Sequence, residues 1–454
     1  MQGFHMFKQF DRKIVSTTFR MAWPSVVESF FVALAGIIDS YMVSNLGSAA
    51  VASVGLTTQP KFIALAMFIA MNISNAALVA RRRGENNKKS ANEVLLTSLT
   101  MIVILSVIIS TAMVSIADPV VRMCGSQPET HEGAVTYYNI IIGGMIFNTI
   151  QMGINSAQRG AGNTKITMRT NLVSSAVNIL FNYLLIEGHL GFPRLELFGA
   201  ALATVLGTVV ASIMSILSLF KKDNFVSIPY MIKEKLKPTW TAFRSIIKVG
   251  YSVFIEQIFL RVGFFATALM AARMGTSALA AHQVGMNILS LSFSFGDGFQ
   301  AAAVALIGRS LGEKKPDLAK TYGSCCRMFG LLVSIVLVIL FVFFGRQIYR
   351  AFFEEEEIIQ YGVQISYVIA AVTVFQIQAL INGGALRGAG DTLFTAIAGI
   401  ITVTFIRTIV SWFFGIYLNM GIIGVWFGVF SDMFFRMILM TLRYTSGKWV
   451  KIKI

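Results

Sequence analysis

The feature that most constrains this chain is a series of apolar runs, each long enough to cross a bilayer. A transmembrane helix needs roughly 20 mostly apolar residues at a rise of about 1.5 Å per residue. Such runs fall near 16–44, 54–80, 94–117, 134–158, 168–188 and 197–220, then near 245–272, 284–308, 324–348, 362–386, 394–418 and 421–444. These twelve spans take up most of the 454 residues and leave mainly short polar connections. Backbone amides in hydrocarbon must be satisfied within the span itself, so the expected fold is an all-α membrane protein.

Charge fixes the expected orientation. Lys and Arg number 38 against 22 Asp and Glu, a net charge of +16. In a soluble protein that balance would point to nucleic acid. Here the basic residues sit in every second connection: Arg81, Arg82 and Arg83 with Lys88 and Lys89, Arg159 with Lys165, the stretch from Lys221 to Lys248, Arg309 with Lys314 and Lys315, and Lys448, Lys451 and Lys453 in the tail. The alternate connections are short or acidic, as at Glu129, Glu132 and Glu354 to Glu357. This is topogenic charge in contact with anionic lipid, and no nucleic-acid partner is expected. It predicts a multi-pass protein of a cytoplasmic (inner) membrane with both termini on the cytoplasmic side. Residues Met1 to Val15 are polar and lead into a full-length span, so no cleaved leader is expected there. Cys124, Cys325 and Cys326 make no disulfide framework, and with four histidines they supply no metal spacing. Without a nucleophile, metal or acid–base cluster the chain reads as no enzyme, and no cofactor is expected.

Three loop sequences recur. Asn45-Leu46-Gly47-Ser48-Ala49-Ala50 returns as Arg273-Met274-Gly275-Thr276-Ser277-Ala278, Arg83-Gly84-Glu85 as Leu311-Gly312-Glu313, and Gln158-Arg159-Gly160-Ala161-Gly162-Asn163-Thr164 as Leu386-Arg387-Gly388-Ala389-Gly390-Asp391-Thr392. Gly47 to Gly275, Gly84 to Gly312 and Arg159 to Arg387 are each 228 positions apart, as are Glu28 and Glu256. A single period shared by three motifs marks an internal duplication. Each half holds six spans, so the expected architecture is two six-helix bundles related by a pseudo-two-fold axis along the membrane normal. The lobes are 1–220 and 245–454, with a cytoplasmic linker over 221–244 that carries Pro229 and Pro238. Two such bundles suit a secondary transporter with a central cleft.

Function is expected where the repeat is broken. Asp39 lies in the outer third of the first span, within ~9 Å of its end. Its counterpart is Thr267. It shares a helix face with Ala35, Gly36, Val32 and Glu28, a stripe suited to packing on neighbours. A carboxylate at this depth is costly and marks a functional candidate, the bland alternative being an acid held by Ser and Asn hydrogen bonds. In the fifth span Asn171, Ser174, Ser175, Asn178 and Asn182 form one polar stripe, whereas Asn178 and Asn182 correspond to Ile406 and Val410. Interhelical amide pairing explains such a stripe equally well when it stands alone. Both asymmetries fall in one lobe, which favours a proton or cation site. Glu28, Glu256, Arg261 and Asp297 are weaker signals, and Asp432 with Arg436 has the spacing of an i,i+4 pair.

The stretch from Trp23-Pro24 to Asp39 with its Leu46-Gly47 turn, the paired Gly-Glu turns at 84 and 312, and the Arg-Gly-Ala-Gly loops at 159 and 387 together resemble the multidrug and toxin extrusion (MATE) family over essentially the whole chain. The resemblance implies antiport: efflux of small organic cations, amphipathic drugs or metabolites in exchange for H+ or Na+, by a monomer in contact with membrane lipids. It places the ion-coupling cluster at Asp39, Tyr137, Asn178, Asn182 and Thr204, with Pro24 letting the first span bend. Relatives often carry a second Asp where this chain has Asn182, which favours protons over sodium. The second-lobe acids of the NorM-like branch fall near Leu260 and Gln376, both neutral, so the chain is similar to the DinF-like bacterial branch. Glu28, Asn155, Glu256 and Gln376 are the candidates for the substrate cleft. The competing functions are a lipid-linked oligosaccharide flippase of related topology, which would call for more Arg and Lys in the cleft, and a membrane scaffold or sensor without transport.

Overall fold

The computed structural model describes residues 11–221 and 223–452. Residues 1–10, Lys222, Lys453 and Ile454, and the side chains of Ser48 and Thr276, lie outside the described residues. Among those described there are helices and turns and no strand. The first half runs α1 (Arg12–Ser44), α2 (Ser48–Gly84), α3 (Lys88–Ser115), the short α4 (Ala117–Met123), α5 (Pro128–Gly143), α6 (Met145–Gly160), α7 (Thr164–Leu185) and α8 (Glu196–Ser218). After the short α9 (Ile228–Lys233) come α10 (Trp240–Ala272), α11 (Thr276–Gly312), α12 (Pro316–Arg350) and α13 (Glu356–Ala389). α14 (Thr392–Gly399) continues through π-helical turns at Ile400–Arg407 into α15 (Thr408–Trp412) and a second π-helical stretch, Phe413–Tyr417, before α16 (Gly421–Thr445).

Among the described residues, ten helices are long and apolar enough to cross a membrane, and the bent pair α5–α6 makes an eleventh span. α7 is the twelfth. Its 22 residues reach far enough, but the Asn and Ser stripe expected there lowers its hydropathy. Many of the largest apolar side chains point outward, Val336 and Phe343 of α12 and Phe265 of α10 among them, as a lipid-facing surface requires.

The chain forms two compact units, residues 30–250 and residues 1–29 together with 251–454. In the first, α2 packs on α5 and α6, α3 on α6, and α7 on α8. In the other, α13 is the central helix, with α11, α12 and α16 against it. Its core gathers Tyr349, Phe341, Ile365, Ile369 and Trp426.

The duplication is legible in backbone detail. Gly47 and Gly275 cap α2 and α11 at φ 100° and 104°, and Gly162 and Gly390 close the Arg-Gly-Ala-Gly loops at φ 80° and 92°. Left-handed φ of this kind excludes most side chains, which is why glycine recurs. Gly160 and Gly388 recur for a different reason. A Cβ on Gly160 would run into the Ala76 carbonyl, and one on Gly388 would come within 2.6 Å of the Val304 carbonyl. Ala76 and Val304 are themselves 228 positions apart, so the same helix-to-helix approach is built twice. Backbone oxygens cannot swing away. Gly160→Ala and Gly388→Ala are therefore expected to cost about 1–3 kcal/mol each, read as a fall in the thermal midpoint of the purified protein. Gly383→Ala, where an added Cβ meets nothing within 4 Å, should be neutral or slightly stabilising.

The two units also differ in backbone. The fourth span is not one straight helix: it breaks by 44° between α5 and α6, at Gly143 and Gly144. The equivalent stretch of α13 carries Ala371 and Val372 and runs unbroken. Conversely, the π-helical turns belong to the second half, where α7 is regular.

Candidate functional site

Three helix ends and a helix break build the site within residues 30–250. α1 presents Asp39 five residues before its end at Ser44, α7 presents Asn178 and Asn182 in its last two turns, and α8 presents Thr204 near its start. Gly207 is what allows α8 so close to α7: a Cβ there would lie 2.8 Å from the Ser174 carbonyl and 3.2 Å from Asn178 Cβ. A small apolar cluster of Val43, Tyr137, Ile186, Ala200 and Ala201 ties the same elements together.

The polar groups are connected. Asn182 Nδ2 donates to Asp39 Oδ1 at 2.5 Å. Asn178 Nδ2 donates to Thr204 Oγ1 at 3.2 Å, and Asn178 lies near the Asp39 carboxylate. Thr204 Oγ1 donates to the Ala200 carbonyl at 3.0 Å, and the Tyr137 hydroxyl lies near Thr204. Asp39, Tyr137, Asn178, Asn182 and Thr204 thus form one group. Asn182 is fully buried, yet its Oδ1 has no hydrogen-bond partner among the described residues. An orphan buried acceptor beside a carboxylate is where an added proton or cation would be shared.

One member of the site escaped sequence reasoning. Lys61 of α2 is within electrostatic range of Asp39. It follows Pro60, which lacks the amide that would bond back along α2. Lys61 and Thr204 line one cavity of about 200 Å³, together with Leu65, Ile142, Asn148 and Thr208. The cavity sits at the α5–α6 break, with Gly144 and Met145 also in its wall. A signal was available, because the repeat counterpart of Lys61 is Leu289, the same kind of asymmetry that picks out Asp39. The small-residue stripe on α1 holds only in part: Ala35 is buried, but Gly36 and Val32 are exposed.

The remaining candidates lie elsewhere. Asn155 is buried in a separate network, donating to Thr170 Oγ1 at 3.0 Å and accepting from Ser215 Oγ at 3.1 Å. In the other unit, Arg387 Nη2 donates to both carboxylate oxygens of buried Glu256 at 2.8 Å. Gln376 and Glu28 are buried there too. The same unit holds a second charged cluster. Asp432 bonds Arg436 at 2.8 Å, as its i,i+4 spacing suggested, and Arg407 Nε stands 3.8 Å from its other oxygen. Arg407 is fully buried over the Phe264 ring, and none of its guanidinium nitrogens hydrogen-bonds a described residue.

Known families bear directly on this arrangement. The MatE family model matches twice, over residues 24–184 and 253–413, one copy on each half of the duplication. The chain belongs to the MatE family. Among curated relatives of this MatE protein is a probable multidrug resistance protein NorM of Thermotoga maritima, 28% identical over 437 residues, covering 95% of this chain and 92% of the relative. An uncharacterized transporter, YisQ of Bacillus subtilis, is 26% identical over 95% of this chain and 94% of its own length. Among solved structures, the fold is shared with an outward-facing multidrug resistance MATE family transporter at a TM-score of 0.88 and 22% identity, covering 96% and 97% of the two chains. A MOP superfamily transporter from Pyrococcus furiosus matches at a TM-score of 0.89, with 22% identity and 97% coverage of both chains. MatE proteins are membrane transporters, and the twelve-helix, two-bundle architecture expected from the sequence is the one found.

Proposed function

We propose that this MatE protein is a multidrug exporter: a secondary antiporter that takes up protons, in preference to sodium ions, and expels cationic or amphipathic small molecules by alternating access. One observation carries the reading. A membrane-embedded carboxylate, Asp39, is bonded by Asn182 and sits in a polar group that the other half of the duplication does not reproduce. A carboxylate in that position alternates between a charged and a protonated form, and coupling that change to release of the substrate is the elementary step of antiport. Protonation of Asp39 changes the charge and hydrogen bonding of the cluster, and the substrate leaves in that state. The fully buried Asn182 amide keeps the carboxyl oriented in both states.

The names of the relatives support drug efflux, and the repeat supports lobes at 1–220 and 245–454 linked by 221–244. The basic connections favour both termini in the cytoplasm, and we assign the working unit as a monomer. The family match weighs against the lipid-linked oligosaccharide flippase.

The test is a reconstitution. Purified protein in liposomes loaded with a pH-sensitive dye should move protons against an organic cation such as ethidium, with the same rate in choline and sodium buffers. A signal that requires sodium would transfer the coupling to that ion. The absence of any ion movement with a broad panel of cations would remove the transport reading altogether.

A further inference from the structure

We infer that Lys61 is a built-in counter-cation of the Asp39 cluster, and that it sets ion specificity by keeping sodium out. The inference deepens the antiport reading and rests on it. Asp39 is the carboxylate of the group, and the other side chains facing it are neutral: Tyr137 from α5, Asn178 and Asn182 from α7, and Thr204 from α8. α2 contributes Lys61, and α6 contributes Asn148 to the same cavity wall. With Asp39 ionised and Lys61 charged, the formal charge of the cluster is zero.

The column of polar groups has a direction. Counted at 1.5 Å per residue from Leu185 of α7, Ser44 of α1, Glu196 of α8, Pro128 of α5 and Ser48 of α2, Asn182 lies ~5 Å in, Asp39 ~8 Å, Thr204 and Tyr137 ~12–14 Å, and Lys61 ~20 Å. Lys61 is therefore the inner terminus of the file. Phe62, Leu65, Val205 and Thr204 line the same cavity as Lys61, and Asp39 lies within its electrostatic range. Sequence supports a particular rather than a general role, since the other half has Leu289 at this position.

The consequence for ions is direct. Sodium needs several oxygen ligands and brings a full charge that persists after binding. The oxygens are present, in Asp39, Asn182, Asn178, Thr204 and Tyr137, but a sodium ion there would be a second cation in a group whose negative charge is already answered. A proton neutralises Asp39 by forming an O–H bond, and the resulting hydroxyl can donate to the unpartnered Asn182 oxygen. Lys61 thus penalises a metal cation more than it penalises protonation, and the donors that would serve sodium are left to orient a proton.

Removing the charge should reverse the selectivity. Lys61→Met keeps the length and apolar packing of the stem, and Lys61→Arg keeps the charge. The readout is binding of sodium alone, measured as sodium-dependent thermal stabilisation of the purified protein against choline at constant ionic strength, with Asp39→Asn as the background. Wild type and Lys61→Arg should show no saturable sodium effect above that background. Lys61→Met should show one, with an apparent affinity for sodium raised by roughly tenfold or more. Sodium stabilisation of wild type that disappears in Asp39→Asn would overturn the inference, since sodium would then bind with Lys61 in place. A folded Lys61→Met protein with no sodium response would also overturn it. If that variant does not fold, Lys61→Gln takes its place under the same criteria. Because this measurement needs no transport, it separates from the antiport reading: loss of proton-driven efflux in wild type would defeat that reading and leave the sodium result to stand or fall alone.

Discussion

Asp39→Asn is expected to lower organic-cation efflux by at least about tenfold, to the level of cells carrying an empty vector, while the protein still folds and reaches the membrane. The substitution is nearly isosteric, and the new amide can still meet Asn182 and Asn178, so the packing of α1 on α7 and α8 is kept. What it removes is the ability to alternate between charge and no charge. With an amide in place of the carboxylate, protonation can no longer change the charge of the cluster, so substrate release is uncoupled from the proton. Proteoliposomes containing this variant should show no drug-driven proton movement across the neutral pH range. Asp39→Glu, which restores the charge one methylene further out, should recover part of the activity. Full efflux by Asp39→Asn in a host lacking other pumps would move the coupling site away from this cluster.

The second large effect concerns stability and has opposite signs at two neighbouring residues. Asp432 is fully buried between Arg436 and Arg407. Asp432→Asn strands a fully buried guanidinium that has no hydrogen-bond partner of its own among the described residues. Breaking a buried pair from one side costs about 3–5 kcal/mol. At roughly 2–4 °C per kcal/mol for a unit of this size, the thermal midpoint should fall by roughly 6–20 °C. Arg407→Met should do little harm or even stabilise: the side chain is similar in volume, Phe264 still covers it, and Asp432 keeps Arg436 at 2.8 Å. The double variant should recover much of the loss. If Arg407→Met falls as far as Asp432→Asn, the guanidinium is contributing through a contact other than Asp432.

Much of this molecule is legible in its sequence, for physical reasons. Spans are visible because hydrocarbon enforces an apolar length, and the repeat is visible because left-handed Gly47, Gly162, Gly275 and Gly390 cannot drift. Asp39 stands out because it is a carboxylate within an apolar run whose repeat counterpart, Thr267, carries none. Three things are hidden. Lys61 sits beside Pro60 in a run that still averages as strongly apolar, so it reads as part of a span rather than as a partner of Asp39. The break at Gly143 and Gly144 is invisible because paired glycines are also common at close helix contacts. The Arg387 bond to Glu256 joins residues 131 positions apart, and spacing cannot announce a pairing at that range. The family resemblance supplies Tyr137 and Thr204, which nothing in their local sequence marks.

One packing detail says something about history. In the first unit Gly153 of α6 admits the side chain of Ile102 from α3; in the other unit the positions are reversed, with Gly330 of α12 admitting Ile381 of α13. Ile102 and Gly330 are repeat counterparts, as are Gly153 and Ile381. The two copies therefore solved one contact with knob and socket exchanged. No single substitution connects the two solutions without an intermediate holding either two isoleucines, which collide, or two small residues, which leave a gap. The gap is the gentler passage, so the easier route between the copies runs through an under-filled contact refilled from the other side. Grafting one helix from either half into the other would recreate such an intermediate, whereas transplanting a helix pair would carry knob and socket together.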